Sequence, residues 1–316
     1  MGKLKALLLT EGMHGMISQV EGMAKALNAE FNHKIVRLSF PWNPIPPKFT
    51  PISNIILKDK IYLTENETPD LIISCGRKSV IPSIYLKKNS KKKVYNIHIQ
   101  NPKVSLSHFD FIISPEHDNL VSKNVIQSKG AIHYLTLDEI KHNHDYLLHK
   151  LNKNQDYLTL ILGGPNKYYD YSNENIKKVF DKIKRILDEN NLQLIAIPSM
   201  RTPKKTIDLA NEYFANNNLI VNNIDKKAYL SGLSLAKFII VTCDSTSMIS
   251  ESALTGKPIY VAELPPKKND YRFKKFRELF TKLNIIKNLD EKLTIWNYEN
   301  LDETNRIAKE IKKKLF

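Results

Sequence analysis

Short apolar runs alternate with amphipathic stretches along the chain, in the rhythm of strands and helices. In the first half this pattern predicts strands over 4–10, 33–38, 71–75, 94–99 and 111–114, with helices over 16–28 and 79–88. Ile17, Val20, Ala24 and Leu27 share one face of the first helix. Pro41, Pro44, Pro46, Pro47 and Pro51 fix too many backbone angles for a helix, so that stretch reads as loop. A helix over 138–151 and a polar linker over 152–156 end this half.

The second half restarts the pattern. Strands are predicted over 157–162, 192–197, 219–221, 238–242 and 258–261, and helices over 173–189, 203–214, 226–236 and 247–255. Strand–helix alternation implies right-handed crossovers and parallel sheets. The expected architecture is α/β: two Rossmann-like domains, residues 1–152 and 153–316, with parallel sheets facing across a cleft. Ile307, Ile311 and Leu315 give a closing helix over 300–316, free to pack back on the first domain.

Composition adds limits. A chain of 316 residues with 42% hydrophobic and 26% charged positions can build two ordinary cores. No run approaches the ~18 apolar residues of a membrane span, and residues 1–9 lack the h-region and cleavage site of a secretory leader. The two cysteines, Cys75 and Cys243, fit neither a disulfide framework nor a zinc cluster, so a cytoplasmic protein with reduced thiols is expected. Lysine and arginine outnumber aspartate and glutamate 48 to 33, a net charge of +15. Only seven of the basic residues are arginine, and the lysines spread over every segment, which reads as solvated surface and not as a nucleic-acid groove. What remains is a general preference for anionic partners, a nucleotide diphosphate or an acidic membrane face.

Ligands of open parallel sheets bind beyond the carboxyl ends of the strands. Five places qualify. In the loop from Thr10 to Met16, Gly12 and Gly15 allow close backbone approach to an anion at a helix start, or simply a tight turn. Arg77, one of the rare arginines, follows Cys75-Gly76; it either meets phosphate or is solvated. Glu116, His117 and Asp118 end a strand and include candidate general bases, or else cap a helix. Gly163-Gly164 opens the second half, and Arg201 sits between Ser199 and Pro203 at the next strand end. The fifth place, 241–258, is the most informative. A strand runs into Asp244, Ser245, Thr246 and Ser247, whose hydroxyls and amides can surround a phosphate, and Glu251 lies about a turn and a half further on, where it can accept from ribose hydroxyls. His142 and His144 read as a polar helix face, and no metal-ligand spacing stands out.

These loops, with Ile99-Gln100-Asn101-Pro102, resemble the mitochondrial-fission "elongated mitochondria" family and its bacterial members over residues 12–258. That family in turn resembles GT-B glycosyltransferases. The segment from Asp244 is similar to the nucleotide loop of UDP-GlcNAc 2-epimerases, in which Asp-Ser-Gly-Gly precedes a Glu; here Thr246 and Ser247 stand for the two glycines. The resemblance implies that Ser245 meets a diphosphate and Glu251 a ribose. It also implies, from the plant members, an adaptor that brings a dynamin-like GTPase to a membrane.

Three expectations follow. The first is a GT-B-type glycosyltransferase that needs no cofactor or metal and takes a nucleoside-diphosphate sugar, UDP-linked, as substrate. Gly12, Gly15, Arg77, Gly163, Gly164, Arg201, Ser245, Thr246, Ser247 and Glu251 would bind the donor; His14, Glu116, His117 and Asp118 are the base candidates. All nine histidines lie at or before His149, in the half assigned to an acceptor, which could be lipid-linked. The second is a sugar-nucleotide epimerase on the same fold. The third is a non-catalytic adaptor peripheral to the inner face of an acidic membrane, through the basic and aromatic segment 267–280.

Overall fold

The computed structural model describes residues 3–214, 216–289 and 292–315; Met1, Gly2 and the last residue of the expected closing helix, Phe316, lie outside them. Leu7, Leu8 and Leu9 are all buried, so the strand they belong to is covered on both faces. That strand, β1 (Leu4–Thr10), is followed by α1 (His14–Ala26), β2 (Ala29–Ile35), β3 (Leu71–Cys75), α2 (Val80–Lys88), β4 (Tyr95–Ile99), β5 (Phe111–Pro115) and β6 (Val125–Ser128). They form a six-stranded sheet in the order β2-β1-β3-β4-β5-β6, with every pairing parallel. Val20, Met23 and Ala24 of α1 pack with Ile307 and Ile311 of α9 (Glu303–Leu315) in one core. Ile81 and Ile84 of α2 fill the other face together with Ile56, Leu57 and Ile61 from the proline-rich connection.

The second sheet is built from β7 (Asp156–Leu162), β8 (Leu192–Pro198), β9 (Leu219–Ile220), β10 (Phe238–Thr242), β11 (Ile259–Ala262) and β12 (Ile286–Asn288), ordered β12-β11-β10-β7-β8-β9 and again wholly parallel. Its helices are α3 (Leu137–His142), α4 (Asn173–Asn190), α5 (Lys204–Tyr213), α6 (Lys226–Leu235), α7 (Thr246–Ala253) and α8 (Tyr271–Lys282). Several starts carry the side-chain cap that the sequence supplies: Ser172 accepts from Asn175 N, and Asp225 from Lys227 N and Ala228 N. No helix among the described residues is long and apolar enough to cross a membrane.

The chain divides into two compact units, Met1–Tyr134 with Asp302–Phe316, and Leu135–Leu301. The junction therefore falls at 134/135, not at 152, and α9 belongs to the first unit. Thr304 Oγ1 fixes it there by accepting from His133 N at 3.2 Å and donating to His133 O at 3.0 Å. One consequence is that His142, His144 and His149 lie in the second unit, outside the half to which the histidines were assigned.

Two element boundaries differ from the sequence pattern for visible reasons. β2 ends at Ile35, because Leu38 turns away to bridge antiparallel to Leu57. The helix expected over 138–151 stops at His142: Asn143 Nδ2 donates back to Glu139 O at 2.8 Å, and Leu147 then turns into a cluster with Ala228 of α6.

Candidate functional site

Strand order reverses on either side of β7 in the second sheet: β8 and β9 lie to one side, β10 to β12 to the other. At such a switch point the loops leaving the central strands diverge and open a crevice at the carboxyl edge. Here those loops carry Gly163-Gly164 after β7, Arg201 after β8 and Asp244-Ser245 after β10.

Asp244 organises them. Its side chain is fully buried, accepting from Thr242 Oγ1 at 2.7 Å on one oxygen and from Gly164 N at 3.0 Å on the other. Arg201 Nη2 meets that second oxygen at 2.8 Å, while Nη1 donates to Gly164 O at 3.0 Å. The guanidinium is thus held by two partners, yet the arginine side chain stays 42% exposed and keeps a charged edge toward solvent. Asn166 Nδ2 donates to Asp244 O, and Asn166 Oδ1 accepts from Tyr168 N and Tyr169 N, which folds the loop after β7 over the same point.

The two glycines are needed for packing. A Cβ on Gly163 would lie 2.2 Å from Asp244 Oδ2, and one on Gly164 would lie 2.0 Å from Arg201 O. Both of their N–H groups are engaged, by Thr242 Oγ1 and Asp244. The room that the missing side chains leave is taken by Asp244 and by the Arg201 backbone.

Ser245 caps α7, accepting from Met248 N at 3.4 Å, and Thr246 and Ser247 occupy its first turn, half-buried. First-turn amides have no intrahelical acceptor, so this end presents donors to an anion beside Arg201. Glu251 faces α6, where Tyr229 Oη donates to its Oε2 at 2.7 Å. Burial pushes the Glu251 carboxyl up to about 7, with the Tyr229 hydrogen bond opposing. Lys257 holds α6 in turn: its ammonium donates to Leu233 O at 2.9 Å and to Ser234 O, and burial lowers it to about 8. Sequence reading passed over Tyr229, Lys257 and Tyr171. Tyr171 is buried beside Thr242, Asp244 and Arg201. Tyr229 and Tyr171 sit in no motif and Lys257 only at the far end of the 241–258 segment, and the packing of separate helices and loops brings them in.

The remaining expected residues lie in the first unit, at the carboxyl edge of its own sheet, which switches between β1 and β3. Gly12 adopts φ +86°, and Gly15 has open space where a side chain would go. His14, exposed at the start of α1, shares a 3.3 Å hydrogen bond between its Nε2 and Tyr134 Oη. Arg77 is engaged within its own unit: its guanidinium donates to Asn43 O at 2.6 Å and Ile45 O at 2.8 Å, clamping the proline-rich loop. Glu116, His117 and Asp118 form a single turn after β5, with His117 Nε2 3.8 Å from Asp118 Oδ1. β5 is three strands from β1, roughly 14 Å at sheet spacing, so His14 and this trio are separate candidates and not one cluster. Among the described residues no group of three or more His, Cys, Asp or Glu side chains could hold a metal ion.

Two tandem doubly wound parallel sheets, each with a loop-lined switch point, define the class: a GT-B-like α/β protein. The same fold is found in the UDP-GlcNAc 2-epimerase of Neisseria meningitidis bound to UDP-GlcNAc (TM-score 0.55, 12% identity, 99% of both chains). It is found as well in the Methanocaldococcus jannaschii UDP-GlcNAc 2-epimerase in complex with UDP-GlcNAc and UDP (TM-score 0.52, 13% identity, 98% of this chain and 99% of that one). Within this class the chain belongs to the mitochondrial fission ELM1 family, whose model matches residues 14–315. It is 27% identical to the uncharacterized protein RP120 of Rickettsia prowazekii over 339 aligned positions, 94% of this chain and 92% of that protein. Against the mitochondrial fission protein ELM1 of Arabidopsis thaliana it is 22% identical over 79% of this chain, but spans only 65% of the plant protein.

Proposed function

We propose that the second unit binds a nucleoside-diphosphate sugar, UDP-linked, and that the protein transfers the sugar to an acceptor as a GT-B-type glycosyltransferase. The observation that carries this reading is the grouping at one strand-order switch: the exposed edge of Arg201, the donor-rich start of α7, and the Glu251 carboxyl about a turn and a half further along. An anionic diphosphate fits the first two, and ribose hydroxyls fit a carboxylate that has few other donors. Neighbours of the same fold bound to UDP and UDP-GlcNAc support the choice of ligand class. Ser245, Thr246 and Ser247 are the proposed phosphate contacts, while Gly163 and Gly164 shape the loop that holds Arg201.

Transfer makes the leaving diphosphate more negative, and Arg201 with the α7 amides would stabilise it there without requiring a metal. His14 is the preferred base: it is exposed, sits beside the switch of the first sheet, and is oriented by Tyr134. Glu116, His117 and Asp118 are the second choice. The net charge of +15 suits a lipid-linked acceptor, met from the cytoplasm at the inner face of a membrane.

Calorimetric titration with UDP, GDP, ADP and CMP, repeated on Glu251→Ala, tests the donor site. Micromolar binding of one nucleotide, lost in the variant, is the expected result; no binding to any of the four removes the reading. Conversion of a bound UDP-sugar to a second sugar nucleotide in the absence of acceptor would replace glycosyl transfer with epimerisation.

A further inference from the structure

The segment expected to meet a membrane, 267–280, turns its phenylalanines inward and leaves Tyr271 as its one exposed aromatic side chain, 55% exposed. Phe276 and Phe280 are buried, and the Phe273 ring packs on Tyr168 and Tyr169 at centroid distances of 5.1 and 5.3 Å. Exposed aromatic and aliphatic side chains concentrate instead in the proline-rich loop of the first unit. Phe40 is 91% exposed, and Phe49 and Ile55 are each 65% exposed.

This loop is held rigid from below. Its ends pair where Leu38 bridges Leu57 and Lys58 N donates to Arg37 O, and Ser39 N donates to Ile56 O. Arg77 clamps the carbonyls of Asn43 and Ile45, and the buried Asn54 side chain exchanges two hydrogen bonds with the Ile61 backbone, both 3.2 Å. Pro47, Ile56 and Leu57 turn into the core. Apolar side chains on an anchored loop cannot fold under it to escape water, and several exposed on one loop beside cations suit a contact surface. The charge around them is mainly positive: Arg37, Lys48, Lys58 and Lys60 are exposed, against one exposed acid between 37 and 60, Asp59. Lys48 Nζ lies 4.6 Å from the centroid of the Phe49 ring, so cation and ring leave the loop together.

We propose that the loop over residues 37–60 docks the protein on an anionic lipid bilayer, with Phe40, Phe49 and Ile55 entering the interface and Lys48 and Lys58 meeting acidic headgroups. Single protruding side chains beside lysines suit the headgroup boundary of a bilayer, which takes up both apolar surface and positive charge. The inference concerns the first unit and stands apart from the nucleotide reading.

Sedimentation of the full-length protein with phosphatidylcholine vesicles, with and without phosphatidylglycerol, tests it. Binding is expected only to the anionic vesicles and weakens with added salt. Phe40→Ser with Phe49→Ser lowers the partition coefficient by roughly a hundredfold or more, and Lys48→Glu with Lys58→Glu abolishes the preference for phosphatidylglycerol. Far-UV circular dichroism and melting temperature stay at wild-type values, since these side chains project into solvent. Trp42, in the same loop, shifts its emission to the blue on vesicles in a Trp296→Phe background. The proposal is overturned by absence of binding to either vesicle, by binding that survives the two serines, or by loss of binding in Lys274→Glu with Lys275→Glu on α8. Capture of an acidic polypeptide by this loop without vesicle binding would equally overturn it. Glu251→Ala leaves vesicle binding unchanged, so failure of the nucleotide reading and failure of this one give different results.

Discussion

Tyr229 Oη and Glu251 Oε2 are 2.7 Å apart and join two helices, α6 and α7, that the chain order separates by a full strand. The phenol stabilises the ionised carboxyl and burial opposes it; burial dominates, leaving the group at about 7. A ribose whose hydroxyls donate to Glu251 binds the ionised form, so binding releases a proton wherever the free group is still protonated. Nucleotide affinity therefore rises with pH up to about 7 and flattens above it, falling by as much as about tenfold per pH unit on the acid side. Titrations in buffers of different ionisation enthalpy measure both the slope and the proton released. A flat profile, or one unchanged in Glu251→Gln, would remove Glu251 from the ligand.

Tyr229→Phe deletes the donor and keeps the ring. The carboxyl moves further up, so the same affinity profile shifts to higher pH. At neutral pH the loss is about three- to tenfold, and it shrinks at higher pH. A merely structural tyrosine would lower affinity equally at every pH.

The same carboxyl sets a stability trend. Its folded value lies above the ordinary 4.5, so the folded state keeps its proton longer than the unfolded chain. Stability associated with the protonated form is complete below about 4.5 and is lost as pH rises to about 7, on the order of 3 kcal/mol in all. Glu251→Gln cannot ionise. It should melt with wild type in acid and several degrees higher above pH 7, while losing nucleotide. Parallel melting curves at all pH values would show that burial does not act on this group.

Much of this arrangement is legible in the sequence, and the rest is not, for identifiable reasons. β1 from Ala6 onward, β3, β8 and β10 are buried on both faces and read as near-continuous apolar runs, interrupted only by single polar residues such as Ser74 and Gln193. β6 and β12 do not: each is a short edge strand, and the half-exposed Val125-Ile126-Gln127-Ser128 looks like any loop. Ser245 through Glu251 stand out because cap, hydroxyls and carboxylate are local to one helix. Tyr229 and Lys257 stay hidden because their partners, Glu251 and the α6 carbonyls, are more than twenty residues away. The role of Arg77 as a clamp is equally hidden, since its acceptors, the carbonyls of Asn43 and Ile45, are more than thirty residues away.

Glycines test that distinction between contact and packing. Gly164→Ala places a methyl 2.0 Å from Arg201 O, where only backbone can yield. It should cost about 2–4 kcal/mol and displace Arg201, lowering melting temperature and nucleotide affinity together. Gly15→Ala meets open space in the first turn of α1, so stability is kept or gains up to about 1 kcal/mol. Equal losses in both variants would mean that Gly15 is also closely packed.

Arg201 and Asp244 make the sharpest comparison, because one is exposed and the other is not. Asp244 is sealed in with Gly164 N–H, Thr242 and Arg201 as its donors. Asp244→Ala removes the acceptor of all three and strands buried polar groups, a loss of about 3–5 kcal/mol. Asp244→Asn keeps the shape and an acceptor for Gly164 N and Arg201, but it loses the charge and turns an amide donor toward Thr242 Oγ1, and falls between that variant and wild type. Arg201→Lys retains the charge, so the buried carboxylate keeps a counterion and the fold is largely preserved. Yet lysine cannot serve Asp244, Gly164 O and a diphosphate at once. The measured split should be near-native melting for Arg201→Lys with roughly tenfold or greater loss of nucleotide affinity. Native affinity in Arg201→Lys would leave the arginine as a strut for Asp244 and move the diphosphate onto the α7 amides alone.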